Sequence, residues 1–386
     1  MGAISYRELR RRFELDGAQT TVRHLREALR AGHLRPEDFS LRELAEALIP
    51  DGREWVRNLD PRGGSPLSEF YEGVDVTAFL QVTGQIVYTK ILEAYRSEAF
   101  VLSRLVQRIP TRLDGERIPG VGRLGDVAAE VHPGMPYPHV GLGEDYIETP
   151  STTKHGLIVP ITREAIFFDR TGLVLRRAAE VGQILGLSKE KRIIDTVIGA
   201  VESYRWNGQS YRTYYQASDS GPWVNALAGN ELVDWTSVDR AEALFAEMLD
   251  PATGEPILVE ATTVLVTPAY RQAARRIFYG HELAVQTPAG TLHSGNILGS
   301  YRVFESRLLY RRILATGIPA EQARKWWFLG DFGKAFAYME NWPITITQSP
   351  PGSEAEFTQD ILVRFKASER GTPAILDPRY VVRCTG

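Results

Sequence analysis

The stretch from Ile158 to Tyr204, IVPITREAIFFDRTGLVLRRAAEVGQILGLSKEKRIIDTVIGAVESY, constrains the fold of this chain more than any other. It opens as an extended apolar run and continues with helical spacing. Val174, Ala178, Val181 and Leu185 recur at steps of four, three and four, which makes one apolar stripe. A second stripe runs through Ile194, Val197, Ile198 and Val201. Between them Gly186-Leu187-Ser188 predicts a break, with Ser188 as N-cap of the second half and Glu190 suited to its first turn. Arg176, Arg177, Glu180, Lys189, Glu190, Lys191 and Arg192 are expected on the solvent side. A helix of roughly thirty residues would be about 45 Å long, the length of a strut.

The whole chain of 386 residues has room for two or three domains with real cores. A net charge of −3 argues against a general nucleic-acid binder, which would be visibly basic. Cys384 is the single cysteine, which excludes an intrachain disulfide and a thiolate metal cage. The first residues, MGAISYRELRRRFELDG, lack the apolar core of a signal peptide, and no run approaches a membrane span. These features suit a protein made in a reducing cytoplasm. Lysine occurs at only seven positions, Lys90, Lys154, Lys189, Lys191, Lys325, Lys334 and Lys366. Arginine dominates elsewhere, and its planar fork suits interfaces, although genome composition explains such a bias more simply.

Residues 1–60 read as short helices separated by Gly- and Pro-containing turns. Ser5 with Glu8 and Ser40 with Glu43 have capping-box spacing. Such helices bury little alone and are expected to pack on another part of the protein or on a neighbouring copy. A linker is predicted over Asn58–Ser68, then helix from about Asp75 to Gln107. From Thr111 to Pro150 glycine and proline recur every few residues around short strand-like pieces, Val127–Val131 and Asp145–Thr149. Prolines bar such pieces from the middle of a sheet, so this segment reads as a two-stranded excursion from the core. Beyond the strut, Asn207-Gly208 predicts a hairpin. Helix is expected over Ser237–Leu249 and from Pro268 through Phe278. Strands are expected over Thr262–Thr267, Tyr301–Glu305, Lys325–Leu329, Pro343–Thr347, Phe357–Phe365 and Arg379–Cys384, interleaved as in a mixed α and β fold.

Local motifs point away from chemistry. Gly120-Val-Gly122-Arg-Leu-Gly125 has dinucleotide-loop spacing, but Pro119 precedes it and Pro133, Pro136 and Pro138 prevent the helix that must hold the pyrophosphate. His132, His139 and His155 lie near Glu130, Glu144 and Asp145 without ligand spacing. Gly330-Asp-Phe-Gly333-Lys334 resembles the end of a phosphate loop but lacks its first glycine and its Ser or Thr. No catalytic residue, cofactor site or metal site is assigned. Tyr204, Trp206, Tyr211, Tyr214, Tyr215 and Trp223 form an aromatic cluster that reads as core or interface packing, with a stacking platform for sugars or bases as the alternative.

The order of these features resembles the major capsid proteins of tailed bacteriophages, and most closely the major head subunit family of Mu-like phages and prophages. The matching words are Lys154-His-Gly156-Leu-Ile-Val-Pro-Ile-Thr162-Arg-Glu164-Ala-Ile with Asp169 and the helix to Val201. Further on they are Ala246-Glu-Met248-Leu-Asp250-Pro-Ala-Thr-Gly254-Glu-Pro256 before Thr263-Val-Leu-Val-Thr-Pro268, and then Phe357-Thr-Gln-Asp360 and Asp377-Pro-Arg379-Tyr-Val-Val. The resemblance spans roughly Asp75 to Gly386. It implies an α+β fold of the tailed-phage capsid type, shared with encapsulin shells. Residues 1–70 would be a helical N-terminal arm, expected to be retained, or a scaffold-like segment. Residues 71–110 would be the helical start of the capsid fold and 111–160 an extended β-hairpin loop over a neighbour. The peripheral domain would take its spine helix from 161–203 and its closing strands from 331–386, with a mainly axial domain over 204–330.

The same resemblance implies a non-enzymatic protein that assembles with itself into pentamers and hexamers of an icosahedral shell. That shell would enclose double-stranded DNA without sequence specificity, with portal, scaffold and decoration proteins as further partners. The protein would be found in the virion after assembly in the host cytoplasm, with no membrane involved and no lysine–asparagine crosslink at Lys154. Candidate contacts between copies are Arg117, Arg123, Lys154, Arg176, Arg177, Lys189, Arg192, Trp206 and Tyr214. An encapsulin-type nanocompartment and an α/β enzyme with an aromatic-lined pocket are the alternatives.

Overall fold

The computed structural model describes residues 6–49, 51–59, 76–120, 145–250, 254, 256–287, 290–349 and 360–386. Helices and strands interleave as an α+β fold, and the chain divides into two units. The first comprises Met1–Ser97, Lys154–Ser188 and Trp342–Arg370; the second comprises Glu98–Thr153, Lys189–Asn341 and Gly371–Gly386.

In the first unit the N-terminal helices Tyr6–Asp16, Ala18–Arg30, Leu41–Leu48 and Gly52–Asn58 share one apolar core with the helix Val76–Tyr95. Leu25, Leu44, Trp55, Phe79, Ile86 and Ile91 are buried together with Val159, Val174, Ala178 and Phe365. Ser40 caps its helix as its spacing predicts, accepting from the Glu43 N–H at 3.1 Å. Its own hydroxyl donates to Asp169 at 2.9 Å, and the Leu41 N–H donates to the Thr171 hydroxyl at 2.8 Å. These bonds tie the N-terminal helices to the start of the long helix. Asp169 stands in the left-handed region (φ 47°), a conformation its short polar side chain tolerates. The sheet of this unit runs from the Trp342–Gln348 part of strand Phe336–Gln348, through the Ile361–Arg370 part of strand Ile361–Ile375, to the strand Thr153–Thr162.

In the second unit a five-stranded sheet has the order Arg302–Glu305, Thr263–Val266, Trp327–Gly330, Val381–Thr385, Ala226–Ala228. Its two faces feed two cores. Val264, Val266, Trp327, Leu329, Val382 and Cys384 join the helices Trp235–Glu247 and Arg271–Tyr279. Leu265, Phe328 and Val381 face the other way, with Ile193, Ile194, Val197 and Ile198 and the helix Arg307–Ala315. Asp331 caps a short turn by accepting from the N–H groups of Gly333 and Lys334, so the Gly330–Lys334 segment is a strand-to-helix turn.

The long helix departs from expectation. Thr171–Val197 is continuous, and Gly186 and Ser188 lie inside it without a break. Each costs at most about 1 kcal/mol of helix propensity. The burial of Leu185, Ile193, Ile194 and Val197 on either side outweighs that. Ser188 is therefore not an N-cap, Lys189 and Glu190 are buried, and Val201 is 49% exposed beyond the helix end.

Gly182 is required for a different reason. A Cβ there would lie 2.2 Å from the Ile91 carbonyl oxygen, so the two helices touch through backbone. Gly172, in the same helix, would meet nothing within 4 Å. Gly182→Ala should therefore destabilise the fold by about 1–3 kcal/mol, while Gly172→Ala should stabilise it by about 0.5–1 kcal/mol. Thermal unfolding of the two variants checks the opposite signs.

Candidate assembly surfaces

The excursion is rooted in the second unit. Strands Arg117–Pro119 and Tyr146–Glu148 pair antiparallel, with Arg117 opposite Glu148 and Pro119 opposite Tyr146. Tyr146–Glu148 pairs in turn with Tyr204–Trp206, which folds back on Gln209–Tyr211. Asn207 and Gly208 both have positive φ (49° and 76°), the requirement of the tight turn that Asn-Gly predicts. Polar bonds brace the root: the Glu116 N–H donates to the Thr149 hydroxyl at 2.9 Å, and Asp114 accepts from the Thr152 N–H at 2.7 Å. Residues 121–144 lie outside the described residues. Arg123, His132, His139 and most of the Gly120–Gly125 motif fall there.

Arg117 and Trp206 are brought onto this one small sheet. Arg117 stacks over the Tyr146 ring at 4.4 Å and pairs with Glu148 at 3.3 Å; Arg205 pairs with the same carboxylate at 3.3 Å. Both arginines are exposed, so each pair is worth only about 0–1 kcal/mol and serves mainly to order the surface. The Trp206 indole donates to Asp145. Glu148 and Arg205 were not singled out from sequence; alternation along the two strands was the available signal.

The aromatic cluster fills a core. Tyr215 meets Trp223 edge to face at 5.5 Å, Tyr204 meets it at 5.9 Å, and Tyr204, Tyr214, Tyr215 and Trp223 are all buried. The Tyr214 hydroxyl donates to the Val197 carbonyl at 2.6 Å while the Arg383 guanidinium lies over its ring. Burial pushes that hydroxyl above its ordinary pKa. Tyr214 is a core residue of its own chain, which removes it as a contact between copies.

Lys189 is likewise corrected. It is 4% exposed, with its ammonium 3.6 Å from Glu340 and 4.0 Å over the Tyr338 ring. Arg192 is half-buried, donates to the Gly371 carbonyl at 3.1 Å and approaches the same ring. Their partners come from far along the chain, and no local spacing foretold them. Lys154, Arg176 and Arg177 are exposed in the first unit. Arg177 pairs with Glu180 at 2.9 Å, and Lys154 lies 5.9 Å over Trp342.

Glu190 is the most deeply placed acid in this region. Its carboxylate accepts from the N–H groups of Leu102 and Ser103 at 2.7 and 2.8 Å, capping the turn Leu102–Leu105 from another element. Burial holds its pKa above the ordinary glutamate value, and the Ser103 hydroxyl and the two N–H groups act against that rise. Cys384 is buried and its thiol is pushed up to about 12, so it stays protonated and inert. Among the described residues no cluster of three or more His, Cys, Asp or Glu side chains could hold a metal ion, and no helix is long and apolar enough to cross a membrane.

In the described residues these charged and aromatic side chains hold the chain's own elements together. Residues 146–384 match the family model described as phage capsid protein, and the chain belongs to that family. No curated protein matches it. Its structure is similar to the capsid of a native GTA particle, at 14% identity and a TM-score of 0.43 over 75% of this chain and 90% of that one. It is also similar to a phage-related protein from Bordetella bronchiseptica RB50, at 12% identity and a TM-score of 0.43 over 78% and 95% of the two chains. A virus-like particle from Pyrococcus furiosus is similar at 11% identity and a TM-score of 0.40 over 77% and 97%.

The pH consequence of Glu190 has a definite sign. A carboxyl whose folded pKa is raised adds stability below its unfolded pKa, near 4.5, and loses that contribution as pH rises through the folded pKa. The difference in melting temperature between wild type and Glu190→Gln should therefore shift against the wild type as pH rises from about 4.5 toward neutrality. A difference that stays constant over that range would show that Glu190 does not titrate with a raised pKa.

Proposed function

We propose that this chain is the major shell-forming subunit of a tailed phage or prophage head. Copies close into pentamers and hexamers, and the icosahedral shell encloses double-stranded DNA without sequence specificity. The observation that carries this reading is the extent of the family match. It begins at Tyr146, on the returning strand of the excursion, and ends at Cys384, in the last strand of the five-stranded sheet. Within the family we read the chain as a Mu-like head subunit, a reading that the Lys154–Ile166 word supports.

On this reading residues 111–160 reach over a neighbouring copy, the helix Thr171–Val197 is the spine of the peripheral domain, and 204–330 form most of the axial domain. The strands after 331 complete the peripheral sheet. Residues 1–70 stay with the subunit, a view supported by the burial of Leu44 and Trp55 in the same core as Phe79 and Val159. The role is assembly and not catalysis, in the virion after assembly in the host cytoplasm, with portal, scaffold and decoration proteins as partners. The aromatic cluster gives an enzymatic reading no support, because its rings fill one another's space.

Negative-stain microscopy of the purified chain should show closed particles; discrete monomers or dimers under all assembly conditions would sink the shell. Replacing residues 120–145 by a short Gly-Ser linker keeps both root strands nearly whole. That variant should melt as a folded subunit and form no shells. Intact shells would remove the role given to the excursion.

A further inference from the structure

In the second unit, residues 257–262 lead into the strand Thr263–Val266 and already carry a strand's alternation. Ile257 is buried, and Val259 and Ala261 are half-buried against the core that the helix Trp235–Glu247 shares. Leu258, Glu260 and Thr262 are exposed, Leu258 to 79%. Both ends of the segment are bonded. The Ile257 N–H donates to the Met248 carbonyl at 2.9 Å, and the Thr262 carbonyl accepts from the Arg302 N–H at 3.0 Å. Between them, among the described residues, no backbone N–H or carbonyl of 258–261 has a hydrogen-bond partner. Beside the segment lies a groove of about 830 Å³, lined by Phe245, Ala246, Val259 and Tyr301 and charged only at Glu242 and Glu260. The same unit contains a ribbon that lacks a strand. Glu282–Thr287 and Gly290–Gly295 pair antiparallel with each other, Leu292 opposite Val285, and with no third strand among the described residues. Two strands alone are marginal in water until a third strand or a packed face completes them. By register Leu283, Val285 and Leu292 share one face of the ribbon.

We propose that the ribbon of one copy adds as a strand to the free edge at 258–261 of a second copy, with its apolar face closing the groove. The inference rests on the shell reading for its occupant and names the surfaces through which neighbouring copies join. In a strand addition the unmet backbone groups supply affinity and the groove beside them supplies fit. Three observations select a second copy of this chain. Within one copy the ribbon and the edge are not paired with each other, so their meeting takes two copies. The two surfaces differ, which makes the contact heterologous, the kind that closes rings of five or six about an axis. Both lie within 204–330, the part assigned to the axial domain of a pentamer or hexamer. The match is also one of chemistry. An extended segment with free N–H and carbonyl groups and an exposed leucine calls for a strand with an apolar face, and the ribbon is one.

The test mixes two full-length variants. In the edge variant, Glu260→Pro with Ala261→Pro removes one N–H from each side of the segment, neither of them used within the chain. In the ribbon variant a short Gly-Ser linker replaces residues 283–294, joining Glu282 to Gly295, which already stand opposite each other. Each variant alone should keep the wild-type melting temperature and form no shells in the microscope. Mixed, they supply one intact ribbon and one intact edge, and should associate one to one in sedimentation. A mixture that sediments as its separate components overturns the proposal, and so do shells from either variant alone, which would leave the edge solvated or open to a strand of another protein. Should the edge variant melt lower than wild type, Leu258→Asp, at an exposed side chain, takes its place with the same outcomes expected. The mixture is scored without shells. One-to-one association beside a wild type that forms no particles would therefore keep this contact and remove the shell reading, whereas shells from the wild type with no association in the mixture would do the reverse.

Discussion

The second unit depends on the burial of Trp327–Gly330 on both faces and both edges. This strand is hydrogen-bonded antiparallel to Thr263–Val266 on one side and to Val381–Thr385 on the other. All four residues are buried, and their side chains alternate between the two cores. A strand so enclosed has no face to spare for charge, which is why its sequence is a short uninterrupted apolar run. Its one polar side-chain group, the Trp327 indole N–H, donates to the Asn230 carbonyl at 2.8 Å. The last strand of the chain is held beside it, so the C-terminal residues belong to the centre of the fold.

Around these cores lie buried polar groups that are met by partners from distant segments. Asn225 accepts from the Tyr215 N–H and donates to the carbonyls of Thr213 and Pro378. Arg379 and Asp377 form a buried two-point pair at 2.9 and 3.1 Å. Glu190 caps a turn that its own helix does not contain, and Lys189 reaches Glu340. Buried pairs of this sort add little net stability, but breaking one leaves a charge stranded. Each accepts only the register in which its partners coincide, so they favour one arrangement of chain over its near neighbours.

The first unit works by a simpler rule. Its helices and sheet bury their apolar side chains in one shared core. The hairpin at Asn207-Gly208, the cap at Ser40 and the buried strand after Thr262 were legible because each depends on residues a few positions apart. The apolar stripe of the long helix was legible for the same reason. Exposure of the charges beside it was not. Lys189 and Arg192 look like solvating charge on a helical wheel, and only the arrival of Tyr338 and Glu340 makes one of them interior.

By itself the sequence determined the alternation of helix and strand, the capsid likeness, and the apolar faces that must be covered. Local stereochemistry and hydrophobic period act over a turn or a strand, and a single chain displays them directly. The tertiary structure decided that the helix runs unbroken through Gly186 and Ser188. It also decided that Lys189, Glu190 and Tyr214 face inward. The reason is that burial is set by what packs against a residue, and those neighbours come from segments far away in the chain.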